Sequence, residues 1–331
     1  MTGRVVRFAA PGRVELGEVE VREPATSELL IRAELSGISG GTEMLIYRGE
    51  IDPELPLDEE LEALPGTFTY PFAYGYSVVG RVERSRGTLP EGARVFAFHP
   101  HQDLFVVAER DVIPLDGEDP RLATMLPLVE TALQVALDAG PRFGEVVTVL
   151  GLGSVGALTG ALLARAGARV IGSEPRPERR SAAARLGVEP VAPEELAARL
   201  DGLTDGRGVP LVIEASGRPE ALAAALPLLA HEGTALVCSW YGTKPVGLPL
   251  GGDFHRRRLV IRSTQVSTIP SNLAGRWDRR RRREVARSLL SELRLDFLAT
   301  HEFPFERAPE AYAAVAGDAP DLIHAALRYE P

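Results

Sequence analysis

Cysteine is almost missing from this 331-residue chain: Cys238 is the single instance. One thiol excludes any disulfide within the chain, and it excludes a zinc lobe built on several cysteines. Lysine is equally scarce, with Lys244 alone, so nearly all positive charge is arginine; we read that as genome bias more than function. No apolar run approaches the roughly 18 residues that a membrane span needs, so no membrane partner is expected. Met1-Thr2-Gly3-Arg4 has no apolar signal core behind it, which makes a cytoplasmic location the expectation. The net charge of −9 speaks against nucleic acid as a partner. What is present is ordinary for a globular protein, 45% apolar and 25% charged residues, in a chain long enough for two domains.

The most informative stretch lies near the middle. Val146-Val147-Thr148-Val149-Leu150 reads as a buried strand and runs into Gly151-Leu152-Gly153-Ser154-Val155-Gly156. A helical run, 157–166, follows; a second apolar strand, 168–173, then ends on Glu174. Strand, Gly-x-Gly-x-x-Gly turn, helix, strand and acid form the dinucleotide-binding fingerprint, and each part has a physical reason. Gly151 permits the tight turn, Gly153 lets backbone approach a pyrophosphate, and Gly156 lets helix pack on strand. The helix N-terminus presents N–H groups and a positive dipole end to the phosphates, which places Ser154 and Val155 among the cofactor contacts. Glu174 stands 23 positions after Gly151, near the spacing of the acid that holds the ribose hydroxyls. Its charge favours NAD over NADP, whereas Arg176, Arg179 and Arg180 would attract a 2′-phosphate; the nearby arginines also form a solvated helix face, or cover the adenine.

Around this centre the chain changes character. Up to about residue 110, short alternating runs recur between turn signals: 4–8, 13–21, 29–35, 78–84, 93–98 and 104–108. They predict a small barrel or sandwich. An acidic, Leu-rich segment, 52–64, reads as a short helix or ordered loop. A helix is expected over 121–139. Strands at 146–150, 169–173, 210–215, 235–240 and 259–263 then alternate with helices at 157–166, 178–186, 194–200 and 219–229. This alternation implies a doubly wound parallel sheet. A helix over 278–293, a strand over 300–305, a helix over 308–316 and a strand over 323–329 close the chain without extending that pattern, as if returning to the first domain.

At this point the chain resembles the medium-chain dehydrogenase/reductase superfamily over nearly its whole length. Gly37-Ile38-Ser39-Gly40-Gly41-Thr42-Glu43 is similar to the family's Gly-Ile-Cys-Gly-Thr-Asp segment with one residue inserted. Tyr74-Gly75-Tyr76-Ser77-Val78-Val79-Gly80 is similar to its Gly-His-Glu-x-x-Gly segment, and Glu130-Thr131-Ala132 to the entry of its cofactor domain. Ile38-Ser39, Gly41-Thr42-Glu43 and Pro100-His101-Gln102-Asp103 are similar to the branch containing the bacteriochlorophyllide hydroxyethyl dehydrogenase. The resemblance implies an α/β fold in which a GroES-like β-rich catalytic domain (1–125, completed by 265–331) joins a Rossmann domain (126–264). It implies NAD or NADP as hydride carrier, Thr131 near the nicotinamide, and a homodimer or homotetramer through the edge of the Rossmann sheet at 235–240 and 259–263.

The departures decide the chemistry. Zinc-dependent members hold their catalytic metal with cysteine, histidine and a third cysteine or acid. Here those positions read Ser39, Tyr76-Ser77 and Leu126-Pro127-Leu128. Hydroxyls are poor zinc ligands, so no metal is expected, and another group must polarise the carbonyl or take the alcohol proton. The candidates are Tyr76, against the alternative of an aromatic filling the vacated space; Thr42, in the place of a relay hydroxyl; Glu43, against a structural acid binding backbone donors; His101, against a surface or structural histidine; and Glu130, against an ion pair. Arg279 to Arg283 reads as an exposed helix start or as a patch for an anionic substrate or partner. The expected function is zinc-independent hydride transfer between nicotinamide and a secondary alcohol or ketone, a small-molecule substrate. The alternatives are an enone or quinone reductase and a non-catalytic nucleotide-binding sensor.

Overall fold

Two hydrophobic patterns, alternating in the first third and continuous in the middle, resolve into two compact units. One comprises Met1–Pro127 with Arg294–Pro331, the other Leu128–Leu293. The computed structural model describes residues 1–59, 61–317, 319 and 321–330.

In the first unit the long strand Glu28–Ile38 is the hub. Its sheet runs, in order, Ala299–Pro304, His324–Arg328, Glu28–Ile38, Val78–Ser85, Arg94–Ala97 and Val112–Pro114, with Leu104–Ala108 also paired to Glu28–Ile38. Only the Ala299–Pro304 pairing is parallel. A smaller antiparallel sheet joins Arg13–Glu20, Thr2–Ala10 and Phe72–Ala73. The C-terminal strand, with Ala326 opposite Gly37, is how the chain's end returns to its beginning. The short strands Phe72–Ala73 and Val112–Pro114 escaped the sequence reading because two or three residues show no period. Segment 52–64 is an ordered loop, pinned by buried Leu57 and Leu64 and bridged at Pro56 to Thr67; Glu60 within it lies outside the described residues.

The second unit is a six-stranded sheet ordered Glu189–Val191, Arg169–Ser173, Val146–Leu150, Val209–Glu214, Leu229–Val237 and Val260–Ser263, parallel throughout. Val147, Val149, Leu211 and Ile213 bury into one apolar cluster. Leu150, Val212, Ala235 and Val237 bury into another. Both faces are therefore covered, which is why these strands read as continuous rather than alternating hydrophobic runs. Two expectations are corrected. The strand expected at an edge, 235–240, is Leu229–Val237 and is paired on both sides, so Val260–Ser263 ends the sheet on that side. The segment 265–293, expected with the first unit, belongs to the second, because helix Arg279–Glu292 is tied there by a buried arginine described below.

Candidate active site

The glycine turn has the local geometry that its spacing implies. Gly151 has φ +90°, and a Cβ there would lie 2.6 Å from Ser216 Cα. A Cβ on Gly156 would lie 2.0 Å from the Gly151 carbonyl oxygen, so the helix Ser154–Arg165 packs against the turn only as glycine. At Gly153 an added Cβ meets nothing within 4 Å; the reason for glycine there is open space. Gly153 is also the N-cap of that helix and gives it no side-chain cap. An uncapped N-terminus beside free space fits an anion such as a pyrophosphate. Ser154 and Val155 are half-buried in the first turn of the helix.

Glu174 is 3% exposed. Its Oε2 accepts from Leu152 N inside the glycine turn (3.0 Å) and its Oε1 from Arg176 N (3.1 Å). Each carboxylate oxygen has a further lone pair, so both keep capacity for a ribose hydroxyl. Arg180, rather than facing outward, donates to the carbonyls of Glu174 and Pro175 (2.8 and 2.7 Å). Arg179 is half-buried on the helix Pro177–Arg185, and Thr131 is half-buried on the helix Leu126–Ala139.

In the first unit, Thr42, Glu43, Tyr76 and His101 come together. Helix Thr42–Arg48 begins one residue past Gly41 and carries Glu43 fully into the interior. The Ser39 N–H donates to Glu43 Oε1 (2.9 Å). On Oε2, Glu43 meets His101 Nε2 (3.0 Å) and accepts from the Tyr312 hydroxyl. His101 Nδ1 lies 2.7 Å from Ser36 Oγ, and Ser36 Oγ lies 2.8 Å from the Tyr329 hydroxyl. Tyr76 is half-buried. Burial first, and the nearby Glu43 charge second, push its phenol up to about 12, while hydrogen bonds with Ser39 and Thr42 pull the other way. Burial, then Glu43, also holds the Tyr312 phenol well above the ordinary range. His101 is fully buried with both ring nitrogens engaged, so it lies within the network and away from solvent. His99 faces elsewhere, stacked on Phe105 at 3.9 Å, and burial depresses it to about 4.

Glu130 stands apart from this group. Its Oε1 accepts from Arg282 Nε (3.1 Å) and Nη2 (3.0 Å), with Arg283 Nε at 3.4 Å. Of the alternatives weighed for Glu130, the ion pair is the one formed. In the arginine run, Arg279, Arg280 and Arg281 are exposed at the helix start, as one of the two readings had it. Arg282 is 1% exposed, neither a solvated helix start nor part of an exposed patch. The signal was in the sequence: Arg282 shares one helix face with Ala286, Leu289 and Leu290, all buried.

The chain is similar to known proteins over nearly its whole length. Residues 154–279 match the family described as zinc-binding dehydrogenase. D-Guloside 3-dehydrogenase of Escherichia coli K12 is 26% identical over 335 residues, covering 94% of this chain and 95% of that protein. The 2-desacetyl-2-hydroxyethyl bacteriochlorophyllide A dehydrogenase of Cereibacter sphaeroides is 26% identical over 344 residues, covering 98% and 97%. The crystal structure of 2R,3R-butanediol dehydrogenase from Bacillus subtilis superposes with a TM-score of 0.78 at 18% identity, covering 98% and 99%. Over nearly its whole length the chain is similar to medium-chain dehydrogenases. It is an oxidoreductase, with the GroES-like and Rossmann architecture.

The zinc question turns on this chain's own donors. The matched family segment begins at residue 154 and so contains none of Ser39, Tyr76 or Ser77. Ser77 Oγ donates to the Thr124 carbonyl (2.6 Å). Among the described residues, no group of three or more His, Cys, Asp or Glu side chains is placed to hold a metal ion. Ser39, Tyr76 and Ser77 offer hydroxyls only, which are poor zinc donors. Sequence reading missed Tyr312, Ser36 and Tyr329 in this site. They carry no motif, and Tyr312 lies 269 positions from the carboxylate it binds.

Proposed function

We propose that this chain is a zinc-independent NAD(P)-dependent oxidoreductase that interconverts a secondary alcohol and a ketone, with NAD preferred. The observation that carries the reading is Tyr76, following a Gly75 packed on His101, beside the buried Glu43, His101 and Tyr312 cluster, in the place where a zinc set would need thiolate and imidazole. The nicotinamide, when bound, supplies hydride acceptance or donation at its C4. The chain's own part is binding and the proton. The turn at Gly151, Gly153 and Gly156, with Ser154 and Val155, takes the pyrophosphate. Glu174 takes the ribose hydroxyls and disfavours a 2′-phosphate, and Thr131 and Arg179 are further cofactor contacts. Tyr76, protonated through the neutral range, donates a hydrogen bond to the ketone oxygen and then the proton, and Thr42 and Ser39 orient its hydroxyl. A phenol so held favours the reductive direction, because oxidation needs it as a base.

The names of the relatives support a secondary carbinol as substrate: a guloside oxidised at position 3 and a butanediol both carry one. No helix among the described residues is long and apolar enough to cross a membrane, and we read the protein as cytoplasmic. Pairing through the end strand Val260–Ser263, where Val260 is 46% exposed, is the reading for a homodimer or homotetramer.

The test is NADH and NADPH oxidation by purified protein against a panel of ketones, ketoses, enones and quinones, with metal analysis of the same sample. Ketone turnover at substoichiometric zinc is expected. Turnover lost on removing one tightly held zinc per chain would overturn the zinc-free reading. Turnover confined to enones or quinones would replace the alcohol reading, and NADH binding without any turnover would leave a sensor.

A further inference from the structure

The group that surrounds Glu43 is larger than a proton donor requires. Ser36, Glu43, His101 and Tyr312 are each 0% exposed, and Tyr329 is 5% exposed. They come from four parts of the first unit: strand Glu28–Ile38, helix Thr42–Arg48, the turn at 99–103, and the returning C-terminal segment. A buried carboxylate is costly unless donors meet it. Glu43 has three: the Ser39 N–H, His101 and the Tyr312 hydroxyl.

The hydrogen-bonding capacity of these partners gives the arrangement its direction. An ionised carboxylate only accepts, so Tyr312 donates through its hydroxyl and His101 presents Nε2–H. His101 Nδ1 then pairs with Ser36 Oγ at 2.7 Å, itself 2.8 Å from the Tyr329 hydroxyl. The rings are held as firmly as the hydrogen bonds. Tyr312 stands edge-on to Phe8, centroids 5.2 Å apart, and edge-on to His101 at 6.3 Å, and Tyr329 stacks on Phe305 at 4.4 Å. A Cβ on Gly75, the residue before Tyr76, would lie 2.7 Å from His101 Cδ2, so backbone leading to Tyr76 rests directly on this imidazole.

We infer that Tyr312 and His101 are positioning residues for the proton step, fixing the Glu43 carboxylate for Tyr76, and that Ser36 and Tyr329 set the orientation of His101. This rests on the reading of Tyr76 as proton donor and extends it to a segment that no motif marks. The C-terminal helix Ala308–Ala316 is then part of the active site through a single hydroxyl, while its remaining buried residues only pack.

Tyr312→Phe removes that hydroxyl and keeps the ring. We expect kcat for ketone reduction to fall about tenfold, a fraction of what loss of the acid itself would cost, with the Kd for NADH unchanged. The solvent deuterium isotope effect on kcat should grow, because proton delivery becomes slower relative to hydride transfer. Ser36→Ala should give a smaller effect in the same direction. A second readout needs no turnover: in ¹⁵N-histidine spectra of the full chain, the six histidines being assigned through His101→Gln, the His101 signals should show protonated Nε2, and Ser36→Ala should move the Nδ1 resonance.

Unchanged kcat and isotope effect in both variants of an active enzyme would overturn the inference, as would an Nδ1 resonance indifferent to Ser36. If Tyr312→Phe does not fold, Ser36→Ala and the spectra decide it. If the wild-type chain turns over no carbonyl, the proposed function fails instead, and the spectra still test the network.

Discussion

Arg282 Nη2 lies 3.0 Å from Glu130 Oε1, with the two side chains 2% and 4% exposed. Arg282 also donates to Gln134 Oε1 and, at 3.4 Å, to the Thr268 carbonyl, so one guanidinium binds helix Arg279–Glu292 to helix Leu126–Ala139 and to the chain between. Arg282→Met leaves Glu130 buried without this partner and should cost about 3–5 kcal/mol. A drop in melting temperature of several degrees is expected. Arg282→Met with Glu130→Leu should recover most of it, since the two fully buried charges are removed together and Arg283, 35% exposed, keeps access to water. A double variant no more stable than the single one would mean that packing, rather than the charge, is what Arg282 supplies.

Gly153 and Gly156 should separate binding from folding. Alanine at Gly153 meets nothing within 4 Å and sits at φ −64°, ψ −177°, a conformation open to any residue. Gly153→Ala should therefore melt like the wild type yet bind NADH at least about tenfold more weakly, its methyl standing where the pyrophosphate approaches. Gly156→Ala collides with the Gly151 carbonyl at 2.0 Å and should lower the melting temperature itself. Calorimetric binding and thermal melts on both variants check the pair.

Glu174→Gln keeps the size of the side chain and removes its charge. NADP affinity should rise relative to NAD, because repulsion of the 2′-phosphate is gone. The hydrogen bond from Leu152 N can still be accepted by the amide oxygen, so the turn should persist. Parallel titrations with NADH and NADPH measure the ratio; a ratio equal to that of the wild type would remove Glu174 from the specificity determinants.

Tyr76→Phe should lower kcat about 10²–10⁴-fold with the NADH Kd unchanged. The pH profile gives the sign. With its phenol up at about 12, Tyr76 stays protonated well past the ordinary tyrosine range, and ketone reduction should hold its rate to high pH. Glu43 contributes to that rise, since a negative neighbour disfavours the phenolate. Glu43→Gln should bring the basic limb down in pH, by less than the whole shift because burial is the larger cause. A limb that stays put or moves upward would show that Tyr76 does not sense Glu43.

Acid should destabilise the fold through buried histidines. His99 and His324 are held down to about 4 by burial, against about 6.5 when unfolded. Between those values the unfolded chain binds protons that the folded chain does not, so stability rises with pH across the window and is lost as pH falls from about 6.5 toward 4. His324→Gln should flatten part of that dependence, measured as denaturation midpoints at pH 7 and pH 5. The same slope in the variant would assign the loss to other groups.

Much of the architecture was legible in the residues themselves. The helix expected at 308–316 is Ala308–Ala316, and the strands expected at 146–150 and 169–173 are Val146–Leu150 and Arg169–Ser173. These elements announce themselves through local period and through Gly, Pro and acid at their ends. The site was legible only in part. Thr42, Glu43 and Tyr76 could be named from short motifs, and His101 as a histidine beside a proline. That His101 meets Glu43 across 58 positions could not be read from spacing, nor could the two partners supplied by the chain's end.

Local order alone is enough for the parallel sheet, the glycine turn with Glu174 beside it, and the near-absence of thiol from the chain. Each depends on neighbours a few residues apart or on which residue types exist at all. The partners of the buried charges come from contacts distant in the chain. Once Glu43 and Glu130 are withdrawn from water they require donors. Tyr312 and His101 in one unit, and Arg282 in the other, are the donors that folding happens to bring within reach.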